Sequence, residues 1–190
     1  MMDYFEDQTF QNINFIDSPL YKGEYEYCKF LQCNFEGVNL NNYKFIDCQF
    51  VDCNLSLAKI EQCSFQDILF KNCKLLGLRF DSINPFNIQL RFEESSLDHS
   101  SFYNCNIKGT VFSNCRLHQV DFENAQLTNA SFAGSDMKDA QFINSNLEKV
   151  DFRESKNLIL DPSINKVKGA KINLNSLPGL LLKYKLSISI

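Results

Sequence analysis

Three kinds of side chain in this sequence could do chemistry: eight cysteines, two histidines and a set of carboxylates. Cys28, Cys33, Cys48, Cys53, Cys63, Cys73, Cys105 and Cys115 are spaced by multiples of five, apart from one slip of two between Cys73 and Cys105. Thiols in such numbers raise disulfides and zinc. His99 and His118 are the histidines, and Asp98-His99-Ser100 holds the letters of a nucleophilic triad. Three consecutive residues cannot converge on one reacting atom as a triad must. No glycine-rich phosphate loop is present.

What these residues can do depends on the scaffold, and the scaffold shows as a period of five. Every fifth residue from Phe5 through Phe80 is large and apolar, and after a slip of two the series resumes at Phe92 and runs to Phe152. Of the 18 phenylalanines only Phe86 lies off these centres. The position two before the centre is restricted, most often to Cys, Ala, Ser, Thr or Val, and all eight cysteines fall there. The remaining positions are mostly Asn, Asp, Gln, Glu, Lys and Ser. Neither the 3.6-residue helix nor the two-residue strand puts an apolar side chain at every fifth position. A chain that turns a corner every five residues does, with the centre and the small residue inside and the polar ones outside. Leu20, Leu40 and Ile60 recur every four repeats, which points to four sides per coil. Beyond the slip, Phe alternates with Leu, Ile or Met, so Phe should occupy two opposite sides.

On a square coil, Cys33, Cys53 and Cys73 form one column and Cys28 and Cys48 another. Parallel Cβ vectors do not meet the disulfide dihedral, and a linear ladder does not offer tetrahedral thiolates. The expectation is buried free thiols, with no metal and no cofactor. The side centred on Phe5, Tyr25, Phe45 and Phe65 carries Glu6, Asp7, Glu24, Glu26, Asp47 and Asp67 against the single base Lys44, flanked by Tyr4 and Tyr27. This stripe is the candidate acidic interaction surface. The other sides of the first half are near neutral.

The body is read as residues 1–155, with a register break at 81–91, and a C-terminal segment as 156–190. In the break, Pro85 occupies a would-be centre and Phe86 leaves the pattern, so Pro85 and Phe86 mark either a kink or a protruding candidate loop. The segment from Lys156 carries six Lys against Asp161 alone. Ser176 followed by Leu177-Pro178 suits an N-cap and a short helix. Leu186, Ile188 and Ile190 alternate with serines as a terminal strand would. A solenoid end needs a cap. The apolar excess of Leu180, Leu181, Leu182, Leu186 and Ile188 marks a candidate seam for a homodimer. The start is acidic, with no basic or apolar leader, and no run approaches the roughly 18 apolar residues of a membrane span. With free thiols, that gives a cytoplasmic expectation. An acidic body argues against direct binding of nucleic acid.

The repeat resembles the pentapeptide-repeat family, whose unit is a small residue, Asp or Asn, Leu or Phe, then two polar residues. Ala125-Gln126-Leu127-Thr128-Asn129 and Ser145-Asn146-Leu147-Glu148-Lys149 carry that pattern. The resemblance spans roughly residues 3 to 155. It implies an all-β, right-handed quadrilateral β-helix of about seven coils and about 35 Å at the strand spacing, with a short helix and strand cap. It also implies a non-enzymatic protein-interaction scaffold whose partner is another protein. The quinolone-resistance (Qnr) members supply an alternative: a DNA mimic that binds DNA gyrase or topoisomerase IV through the acidic stripe and protects against quinolones.

Overall fold

Each five-residue side places one large side chain inward, and the corner that follows explains the choice of its neighbours. On most sides the carbonyl of the centre accepts the N–H of the residue three further on, as Phe35 does from Val38 and Leu55 from Ala58. That bond closes a β-turn whose third residue, two past the centre, has positive φ: Asn42, Gly77, Asn124, Asn129 and Asp139 among others. Turns of this type require φ > 0 there, and Gly, Asn and Asp tolerate it best. Leu57, at φ 58, is strained by the same geometry.

The structure is a computed structural model that describes residues 3–187. Successive coils stack in parallel. β1 (Asp3–Glu6), β3 (Gly23–Glu26), β5 (Lys44–Ile46) and β7 (Ser64–Gln66) make one sheet in that order. A second sheet runs β2 (Thr9–Gln11), β4 (Lys29–Leu31), β6 (Gln49–Val51), β8 (Ile68–Lys71), β9 (Leu90–Glu93) and β10 (Val111–Ser113). Partners lie 20 residues apart, as in Phe10↔Phe30 and Phe45↔Phe65. Elsewhere single parallel bridges continue the ladders at the same spacing, such as Asn34↔Asn54 and Asp121↔Gln141. The result is a four-sided β-solenoid, right-handed as crossovers between parallel strands of one sheet are.

The core is a set of ring columns. Phe92, Phe112, Phe132 and Phe152 stack with centroids 4.9–5.2 Å apart, and Phe80, Phe102, Phe122 and Phe142 do the same at 4.5–5.3 Å on the opposite side. The two columns meet edge to face, Phe112 against Phe122 at 5.8 Å and 82°. Leu97, Leu117 and Met137 line one remaining side and Ile107, Leu127 and Leu147 the other, all buried. Large and smaller side chains interlock as the alternation in the sequence implies.

The break is a two-residue bulge confined to one side. The ladder spacing rises to 22 across it, as in Lys74↔Ser96 and Arg79↔Ser101, and the rod continues. A 3-10 turn, Phe80–Ser82, opens the segment. Pro85 is exposed, and the inside is filled instead by Ile83, with Ile88 partly buried. The alternating run from Phe86 becomes strand only at Leu90, because the bulge lifts its first part off the ladder.

The ladder runs beyond residue 155. Asp136↔Lys156, Asn146↔Lys166 and Asp151↔Lys171 extend it, with Val167 and Ile172 partly buried at positions that resume the five-residue register. The tail then forms a 3-10 turn (Leu174–Ser176), the helix α1 (Leu177–Leu181) and a second 3-10 turn (Leu182–Tyr184). Ser176 stands at the N-cap position of α1, as its type suggests, but its side chain makes no cap bond. Asn173 caps instead, its side-chain oxygen accepting from the Ser176 N–H at 2.9 Å, because the 3-10 turn starts the helical run earlier. Leu186 and Ser187 are irregular rather than strand, and Ile188 and Ile190 lie outside the described residues.

Candidate interaction surface

Six of the eight cysteines, all but Cys63 and Cys105, are corner donors as well as fillers. Where a corner lacks the backbone turn bond, the thiol two before the next centre takes its place. Cys48 donates to the carbonyls of Ile46 and Tyr25, both at 3.3 Å, and Cys53 to those of Val51 and Phe30. Ser95 and Ser145 make the same pair of bonds further along, and Asn165 bonds Phe142 O and Asp161 O. This explains why Ser replaces Cys freely in the second half. All eight thiols are free and buried. Burial pushes those of Cys48, Cys105 and Cys115 up to about 12.

An unfolded thiol ionises near 8.5, so the folded state holds protons that the unfolded state has lost. The stability these thiols contribute is complete below about pH 8.5 and declines as pH rises toward about 12, by ~1.4 kcal/mol per pH unit for each. The melting temperature is therefore expected to fall steeply above about pH 9, and a Cys48→Ser/Cys105→Ser/Cys115→Ser variant to fall less steeply. Identical slopes in the two proteins would exclude this account.

His99 is exposed, and Ser100 bonds the Leu75 carbonyl, so Asp98, His99 and Ser100 do not converge. Asp98 is buried rather than outward: its carboxylate pairs with Arg116 at 2.5 Å and accepts the His118 N–H. His118 Nε2 lies 2.9 Å from Asp136 Oδ2, too poorly aligned for a full hydrogen bond. Among the described residues no group of three or more His, Cys, Asp or Glu is placed to hold a metal ion. No helix among them is long and apolar enough to cross a membrane.

The stripe residues share one side and its following corner. Glu6 pairs across the ladder with Glu26, and Glu24 stacks between Tyr4 and Lys44. Asp7, Asp47 and Asp67 are positive-φ corner residues, with Tyr27 in their column. The carboxylates do not form an unbroken array. Lys44 pairs with Glu24 at 3.1 Å, Tyr4 donates to Glu26 at 2.6 Å, and Ile46 and Gln66 continue the Glu6–Glu26 column without charge. The bond to Glu26 pushes the Tyr4 phenol up to about 12. Desolvation, with the neighbouring Asp67 charge, raises Asp47.

Phe86 sits at the tip of the bulge, 72% exposed, on a fixed backbone: Asn84 Oδ1 accepts the Phe86 N–H at 2.9 Å, and Asn87 follows at φ 55. Every other phenylalanine is at least partly buried. At the far end, Leu180 packs against the core and Leu181 is half-buried, while Leu182 and Leu186 stand in solvent. Two contacts that the sequence does not reveal hold this tail. Gly179 lies so close to the Leu158 carbonyl that a Cβ would come within 1.8 Å of the oxygen, and Lys183 Nζ reaches Asp161 Oδ1 at 2.7 Å.

The pentapeptide repeat region model matches residues 23–91 and 86–152, most of the chain. The chain belongs to the pentapeptide-repeat family. No curated protein matches it. Among solved structures of this family, HetL, involved in heterocyst differentiation regulation in the cyanobacterium Nostoc sp. strain PCC 7120, is 12% identical over 87% of this chain and 84% of its own, with a TM-score of 0.55. The trypsin-treated form of QnrB1, a plasmid-mediated fluoroquinolone resistance protein, is 18% identical over 100% of both chains, with a TM-score of 0.49. At 12% identity the likeness to HetL is one of fold.

Proposed function

We propose that this pentapeptide-repeat protein is a non-enzymatic interaction scaffold whose rod presents Phe86 to a protein partner. The observation that carries this reading is the ordered exposure of Phe86. A large ring held by an Asn-stabilised turn on a rigid support loses little conformational freedom when a partner buries it, which is the profile of an interface anchor. The acidic stripe supplies a field that raises the association rate with a basic partner more than it adds affinity. The alternative, in which the stripe imitates a phosphate backbone at gyrase or topoisomerase IV, has weaker support. Lys44 neutralises Glu24, and uncharged Ile46 and Gln66 stand where a phosphate row would continue. DNA places one charge per about 1.7 Å.

Phe86→Ala is expected to leave thermal stability within about 0.5 kcal/mol of wild type, because the residue is mostly in solvent, and to weaken partner binding by about 2 kcal/mol or more. A photo-crosslinking residue at 86 should label a defined partner in cells, while the same residue at exposed Gln119 should not. Equal labelling from both positions would remove Phe86 from the interface. Inhibition of gyrase supercoiling by wild type, lost on reversing Glu6, Glu26, Asp47 and Asp67, would favour the mimicry reading instead.

A further inference from the structure

The two ends of the rod are unlike, and each carries what the other lacks. At the first coil, β1 pairs with β3 and β2 with β4, and among the described residues nothing pairs with the outer edges of β1 and β2. Phe5, Phe10 and Ile13 are only partly buried there, whereas Tyr25 and Phe30, one coil on in the same columns, are fully buried. Beneath them lies an apolar hollow of about 370 Å³ lined by Phe5, Phe10, Ile13, Phe15, Leu20 and Tyr25. Open strand edges are commonly guarded by lysine. Residues 3–21 instead carry Asp3, Glu6, Asp7 and Asp17 and no base.

The other end has the opposite character. From Lys156, six lysines stand against Asp161 alone. Leu177, Leu182, Tyr184 and Leu186 are exposed on the tail. Two such tails meeting symmetrically would bring like charges together, whereas a tail against the first coil joins basic to acidic and exposed leucines to an open ring stack. We propose that the C-terminal tail of one copy seats on the first coil of a second copy, so that rods associate head to tail. Such an interface is heterologous and does not close on itself, so copies add in line.

Sedimentation of the full-length chain tests this. Wild type is expected to associate as concentration rises and to lose about tenfold in affinity on moving from low to high salt, since the rim charges are exposed. Asp3→Lys/Glu6→Lys and Lys168→Glu/Lys185→Glu change exposed side chains, and matched melting curves would show that both fold. Each variant alone is expected to associate about tenfold more weakly, because the first neutralises the head and the second leaves the tail close to neutral, so the attraction between the ends is largely lost. An equimolar mixture should recover association, stopping at one-to-one pairs because only one of the two possible junctions is complementary. A wild type that stays monomeric at every concentration overturns the proposal. So does association that survives Asp3→Lys/Glu6→Lys, which would mean that tails join tails.

Discussion

Phe122→Asp is expected to yield no soluble folded protein, while Glu123→Lys, one residue away, should melt within about 3 °C of wild type. Phe122 is fully buried, stacked 5.3 Å from Phe102 and 5.1 Å from Phe142 and edge-on to Phe112 and Phe132. Removing the ring alone costs about 3–5 kcal/mol, and an unpaired carboxylate in its place adds a desolvation penalty of several more. Together these approach the whole stability of a domain this size, about 5–15 kcal/mol. The substitution also interrupts a column, so both neighbouring coils lose a stacking partner. Glu123 is partly exposed, and what it gives the ladder is backbone: its carbonyl accepts from Asn104. Lys supplies the same carbonyl. Similar melts for the two variants would show that inside and outside had been exchanged.

Gly179→Ala is expected to release the tail without unfolding the rod. The added methyl would sit 1.8 Å from the Leu158 oxygen and 3.0 Å from its carbon, both backbone atoms that cannot rotate away. The same residue accepts the Leu160 N–H at 3.3 Å, so moving it breaks the one backbone bond that, among the described residues, ties α1 to the end of the solenoid. A loss of about 2–3 kcal/mol would cut the docked fraction of the tail relative to the undocked by tens-fold. Trypsin should then cut rapidly after Lys183 and Lys185, leaving residues up to about 172 resistant. Wild-type protection in the variant would mean that Leu180 and the Lys183–Asp161 pair hold the tail unaided.

The solenoid was legible because its inward positions repeat. A centre such as Phe30 or Phe132 faces the same surroundings in each coil, so one rule fixes them all. The rest depended on contacts between coils that periodicity does not report. Asn157 and Pro162 occupy would-be centres and hide the return of the register at Val167 and Ile172, so the end of the ladder was not visible. The cysteines read as small apolar fillers because their bonds go to carbonyls one coil away. In the acidic stripe, the shared side followed from counting in twenties. The pairing of Lys44 with Glu24 and the bond from Tyr4 to Glu26 follow only once neighbouring coils are stacked. Phe86 stood out in the sequence by leaving the register, but its exposure had to come from the structure, since a strand starting there would have buried alternate residues.

The bulge also sets how the rod should come apart. A repeat solenoid behaves as a one-dimensional lattice, in which each coil is held by its neighbours and opening spreads from wherever adjoining units grip least. On three sides the ladder crosses the bulge, through Lys71↔Glu93, Lys74↔Ser96 and Arg79↔Ser101. On the fourth, Asn84 bonds the coil below through Cys63 O, but among the described residues no backbone bond joins 83–88 to 104–108 above. That makes the segment a dislocation. Under steady pulling from its two ends the molecule should yield in two steps rather than one, with the fracture plane between the coil of Phe65 and that of Ile107.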